Sequence, residues 1–268
     1  MSYTDQESPF TARRMAAALG GIVIMFVIGL ALRAGSSNDG DGTFQSLQRR
    51  STTVERAEAE LARDGRSREM MAAFKANYPQ EYDQFLRRVV DAVNRRGSAA
   101  ARQEAFTFME TFVRSKVPHI AEAPDADVNR LGDALVDFSA ALREADISLC
   151  ARFQMGGLTA MDRLPESALP AMSRLNVAQF RAARQAENGR RVPRTALSDA
   201  DAEAWFARIE TIDPESARRI ADDRLPAATP QQQCDAGLAI YQAAMELPPT
   251  RSANVVAELI RQASTPPR

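Results

Sequence analysis

The sequence predicts an all-α protein: a single N-terminal transmembrane helix followed by a multi-helix globular bundle of helical hairpins. Three observations carry that prediction. The first is an uncharged, strongly apolar run of eighteen residues, Met15 to Leu32. The second is that apolar residues in the remainder recur at helical spacing, with few β-branched runs and no strand-like alternation. The third is punctuation by Pro and Gly at intervals of about 15 to 25 residues, the spacing of capped helices joined by short turns.

The apolar run lies in ARRMAAALGGIVIMFVIGLALRAGSS. At a rise of about 1.5 Å per residue it spans ~27 Å, close to the ~30 Å hydrocarbon core of a bilayer. Its strongest part, GGIVIMFVIGLAL, also fits the shorter apolar region of an export signal. Two small-x-small cleavage frames exist, Gly29-Leu30-Ala31 and Ala34-Gly35-Ser36, but Arg33 stands where a signal peptidase would read. An uncleaved anchor is therefore expected. Arg13 and Arg14 flank one edge of the span, and the linker beyond it carries Asp39 and Asp41 with no cation before Arg49. The positive-inside rule then keeps a short tail, 1–14, in the cytoplasm and sends the chain after the span (15–33) outward, into the periplasm of a bacterium.

Residues 34–43, with the polar run SSNDGDG, form a flexible linker. Residues 44–65 read as a polar stalk helix, in which Leu47, Val54 and Leu61 repeat every seven residues before Gly65. That thin stripe fits an amphipathic surface helix better than a coiled coil, which needs a full second apolar stripe. Residues 66–268 are then an all-helical extracytoplasmic domain, long enough for a substantial core. Ser67 is placed to cap its first helix and Pro79 to open the second. Phe74, Tyr78, Tyr82, Phe85, Leu86, Val89, Val90 and Val93 make one apolar face. Further stripes run through Phe106, Met109, Phe112 and Val113, and through Leu131, Leu135, Phe138 and Leu142. Gly156-Gly157 suits close helix–helix approach. Gly189 ends a helix, Ser198 caps the next, and Trp205 beside Phe206 supplies a core anchor.

Charge excludes some function classes. The 268 residues carry 34 basic against 35 acidic side chains, so no bulk field points to nucleic acid. Thirty-two of the basic residues are Arg and two, Lys75 and Lys116, are Lys, as expected of a high-GC genome. The two cysteines, Cys150 and Cys234, form no CxxC; in an oxidising compartment they are a disulfide pair, and in a reducing one they are core thiols. Each begins a similar stretch, CARFQMGGLTAMDRLP and CDAGLAIYQAAMELPP, in which Cys stands near the start of a helix that stops at Leu-Pro. A bridge would clamp two helical hairpins together.

No catalytic, cofactor or metal site is expected. The one histidine, His119, sits between Pro118 and Pro124 and reads as a loop residue; one His cannot build a multi-His metal site. Two Pro-Glu-Ser copies, at Glu166 and Glu215, resemble the acid-serine pair of lytic transglycosylases, whose Gly-Leu-Met-Gln segment follows neither. Proline followed by Glu is also an ordinary helix start. Arg181, Arg184, Arg190, Arg191 and Arg194 cluster against Glu187, a basic knob that could meet an anionic partner or complement a helix C-terminus. The functional expectation is a single-pass, inner-membrane-anchored helical protein that binds or scaffolds another protein in the periplasm. The alternatives are a cell-wall-cleaving enzyme using a Glu acid and a cytoplasm-facing membrane adaptor.

Overall fold

The computed structural model describes residues 52–64, 67–155, 158 and 164–264. The expected membrane span, the linker, residues 44–51 of the expected stalk and Gly156-Gly157 lie outside the described residues. Among the described residues no helix is long and apolar enough to cross a membrane. The regular structure among these residues is all helix, with no strand.

Eleven α-helices follow one another among the described residues: α1 (Val54–Arg63), α2 (Arg68–Asn77), α3 (Pro79–Arg96), α4 (Ser98–Ala121), α5 (Asp125–Ala145), α6 (Ile147–Met155), α7 (Leu169–Glu187), α8 (Asp199–Ile212), α9 (Pro214–Ala221), α10 (Pro230–Met245) and α11 (Pro249–Ser264). Short 3₁₀ turns precede α7 and α10, at Glu166–Ala168 and Leu225–Ala227.

Local chemistry fixes most helix starts. Thr53, Ser198 and Asp213 accept hydrogen bonds from the first free N–H groups of α1, α8 and α9. Thr229 and Gln232 form a reciprocal capping box on α10. Proline opens α3, α9 and α10, where its missing N–H costs nothing. Gly189, at φ +84°, terminates α7 as expected. Ser67 differs from its expected role. Its backbone is already helical, at φ −102° and ψ −12°, so its hydroxyl turns back and donates to Asp64 Oδ2 at 2.8 Å.

The described part of the polar stretch 44–65 packs onto the bundle. Helix α1 lies against α2 and α3 and buries Ala57 and Leu61. The backbone of Thr52 is held just before it by Asn94 of α3, which accepts from Thr52 N and donates to Thr52 O, both at 2.9 Å.

Two differently built regions meet in the core. In the first, α2, α3, α4 and α7 converge on Phe74, which is fully buried. Its ring centre lies 5.0 Å from Phe112, 5.2 Å from Phe180, 5.8 Å from Tyr82 and 6.1 Å from Phe85. The predicted α3 face is buried except for half-buried Val90. On α4 Phe108 turns inward with Phe112, whereas Phe106, expected on that stripe, is only half-buried. In the second region, α10 lies among α5, α6, α8 and α11 and buries side chains all round, among them Ala236, Ala239, Ala243 and Ala244. A helix hydrophobic on every side must be surrounded. Trp205 of α8 anchors this region, donating from Nε1 to Ile240 O at 2.9 Å.

Cys150 and Cys234 are joined by a disulfide, with Cα atoms 5.3 Å apart and no side-chain exposure. The bridge links α6 to α10, two helices already packed along each other, so it reinforces an interface instead of joining separate hairpins. The expected likeness in helix length is not found: α6 has 9 residues and α10 has 16.

Candidate functional site

The five arginines of the predicted basic knob are not one patch. Arg194 is internal, with a side chain 2% exposed, and pairs with Asp125 Oδ1 at 2.6 Å. It also donates to the carbonyls of Ala121 at 2.9 Å and Ala123 at 2.7 Å. One guanidinium thus satisfies the orphan carbonyls at the end of α4 and the acidic first turn of α5. Arg191 contacts His119 Nδ1 at 3.0 Å and Glu122 at 3.5 Å. Arg190 donates to Gln185. His119 stands in the last turn of α4, not in a loop, because the helix continues through Pro118 to Ala121.

Glu187, the lone acid of the knob in sequence, is the hub of a half-buried network. Its carboxylate meets Lys116 Nζ at 2.7 Å, Arg184 at 3.7 Å and His119 at 4.0 Å. The ammonium of Lys116 lies over the ring of Tyr78, 4.8 Å from its centre. Burial, reinforced by the adjacent Glu187 charge, pushes the Tyr78 phenol well above its ordinary range. The other lysine repeats the pattern: Lys75 pairs with Glu58 at 2.5 Å and sits 5.7 Å over Tyr82. Burial and the Glu58 charge push Tyr82 up to about 12.

Arg181, the remaining member, belongs to a different feature. It lines a groove of about 250 Å³ between α5 and α7, edged by Glu69 of α2. Ala134, Val177 and Ala178 supply its apolar lining. On its walls Arg130 pairs with Asp127 at 2.5 Å, and Arg174 with Asp137 at 3.2 Å. Glu69, Asp133 and Arg181 carry no ion pair among the described residues. Burial, followed by the charge of Asp137 one turn away, pushes the Asp133 carboxyl upward. The sequence held a signal for this wall: Asp127, Arg130, Asp133 and Asp137 are spaced by three, three and four, a charged stripe on α5 beside the apolar stripe Leu131, Leu135, Phe138. Arg174 and Arg181 stand seven residues apart on α7.

Neither Glu166 nor Glu215 lines this groove. Glu215 is in the first turn of α9, its side chain 59% exposed and paired with Arg219, and Glu166 opens a surface 3₁₀ turn. Both stand in the first turn of a helix and face solvent, the ordinary place for an acid at a helix start. Among the described residues no group of three or more His, Cys, Asp or Glu side chains is arranged to hold a metal ion.

Among the described residues, fold and site together define an all-helical, disulfide-bridged domain with a charged groove between two of its central helices. The chain matches no known protein family, and neither a curated protein nor a solved structure is similar to it.

Proposed function

We propose that this chain is a membrane-tethered helical domain that works outside the cytoplasm and holds another protein there. The observation that carries the reading is the Cys150–Cys234 bridge, buried between α6 and α10. Disulfides persist in oxidising compartments and are rare in the bacterial cytosol. The apolar segment 15–33, with its Arg13-Arg14 flank, supplies the anchor and the direction. The surface sets the chemistry by which a protein partner would be met. Val192 is the one large apolar side chain exposed among the described residues, so a partner is engaged through charged and polar groups.

The bridge makes the topology simple to test, since two buried, bonded cysteines do not react with maleimide. In an Arg190→Cys variant the single exposed thiol reports the side of the membrane. Labelling by a membrane-impermeant maleimide once the outer membrane is opened is expected. Labelling only after inner-membrane lysis would overturn the outward reading, as would non-reducing mass spectrometry showing both native thiols free in freshly isolated protein.

A further inference from the structure

We infer that the groove between α5 and α7 is the partner-binding surface of this domain, and that its occupant is a polypeptide segment whose basic side chain sits on Asp133 while a neighbouring acidic side chain reaches Arg181. The inference rests on the reading of the chain as a protein-binding domain and adds the chemistry of what it binds.

The argument begins with charge. Two of the groove's three guanidinium groups are spent on Asp127 and Asp137. That leaves Asp133 beside the like charge of Asp137, with Glu69 on the far rim and Arg181 alone on α7. An incoming cation relieves the repulsion at Asp133, and an incoming carboxylate completes Arg181; with Glu69 on the rim the unpaired groups are two carboxylates and one guanidinium, so the groove takes a segment of mixed charge that is basic on balance. Its excess of carboxylates works against polyanions, which sets aside nucleic acid and phospholipid head groups.

Shape narrows the occupant further. A volume of about 250 Å³ falls below the ~300–1,000 Å³ typical of small-molecule pockets. The walls are open: the side chains of Arg130, Arg174 and Asp137 are 55%, 51% and 55% exposed. Such a space accepts one or two side chains from a passing segment. Ala134, Val177 and Ala178 offer the aliphatic stem of Arg or Lys an apolar contact while its charged head reaches the rim.

The test uses the full chain in a nonionic detergent and fluorescein-labelled, end-blocked alanine-based peptides, read by fluorescence polarisation. One peptide carries Arg and Glu four residues apart; the controls carry two Glu or two Ala at those positions. Salt-sensitive binding of the Arg/Glu peptide over both controls is expected. Asp133→Asn should weaken it several-fold, and Asp133→Lys should reverse the preference toward the two-Glu peptide. The reversal keeps the test decisive, because a variant that gains a ligand has kept its fold. Equal binding by wild type and Asp133→Asn, or no reversal by Asp133→Lys, overturns the assignment. Self-association by sedimentation that Asp133→Asn abolishes also overturns it, since the occupant is then a second copy. These readouts are independent of the maleimide labelling, so an inward-facing domain that still binds the Arg/Glu peptide would fail the topology reading alone.

Discussion

The two ends of this bundle are held by opposite means. Around Phe74, helices α2, α3, α4 and α7 are kept together by large rings from four helices. Around α10, helices approach through small residues and one pair, α6 and α10, is cross-linked. A Cβ on Gly237 of α10 would lie 2.2 Å from Gln154 Cγ of α6, and one on Gly132 of α5 would lie 2.3 Å from Met245 Sδ. Ring packing removes much apolar area from water per residue, and its energy is concentrated in few side chains. Small-residue packing spreads dispersion over many contacts, each weak, and depends on backbones staying close. One end is therefore vulnerable to single deletions, and the other to anything that separates its helices.

The largest effect is expected from Phe74→Ala. Removing a fully buried ring that touches five others should cost about 3–5 kcal/mol, read as a lower denaturation midpoint in urea. Next is loss of the bridge in a Cys150→Ser/Cys234→Ser double variant. The sequence separation of 84 sets an upper bound of ~4–5 kcal/mol in the chain-entropy model, and about 2–4 kcal/mol is the usual outcome. If bridge loss costs more than Phe74→Ala, the small-residue end is held chiefly by its cross-link, and the contrast drawn between the two ends must be reversed.

How far the sequence foretold these regions follows from what each depends on. The ring-packed end was largely legible, because Tyr82, Phe85, Leu86, Val89 and Val93 repeat at the helical period on one segment. Phe106 and Phe108 stand two apart, and the spacing 106, 109, 112, 113 put Phe106 on the inward stripe; contact with Phe85 across the α3–α4 interface, at 5.7 Å, selects Phe108 instead. The knob misled for a similar reason. Arg194 belongs by sequence to a basic cluster, but its partners Ala121, Ala123 and Asp125 lie 69 to 73 residues away. The groove was half legible: the α5 stripe is local, whereas its pairing with Arg174 and Arg181 needs the packing of α5 on α7.

Arg194 sits where the α4–α5 turn joins the two ends, and it tests that junction. Arg194→Ala should cost about 2–4 kcal/mol: Asp125 can recover water, but the two carbonyls at the end of α4 lose a charged donor. Arg194→Lys should restore little, since an ammonium cannot serve both carbonyls and the carboxylate with the reach of a planar fork. Full rescue by Lys in a thermal melt would show that charge, not geometry, secures the turn.

The smallest effect is also the most discriminating for the small-residue end. Gly237→Ala raises helix propensity by ~0.8–1 kcal/mol, and at an exposed site it would stabilise. At this position the new methyl meets Gln154, which is fully buried and cannot move freely because its Nε2 donates to Ser139 Oγ at 2.9 Å. Overpacking of ~1–3 kcal/mol then opposes the propensity gain, for a net loss of about 1 kcal/mol. The bridge bears on the result, since Cys150 and Gln154 lie one turn apart on α6 and Cys234 and Gly237 one turn apart on α10. With the disulfide closed, α6 cannot move away from the methyl; with both cysteines replaced by Ser, it can. Gly237→Ala should therefore cost less in the Cys150→Ser/Cys234→Ser background than in the bridged protein. A double-mutant cycle with no coupling would mean that close approach of α6 and α10 is set by their side chains alone.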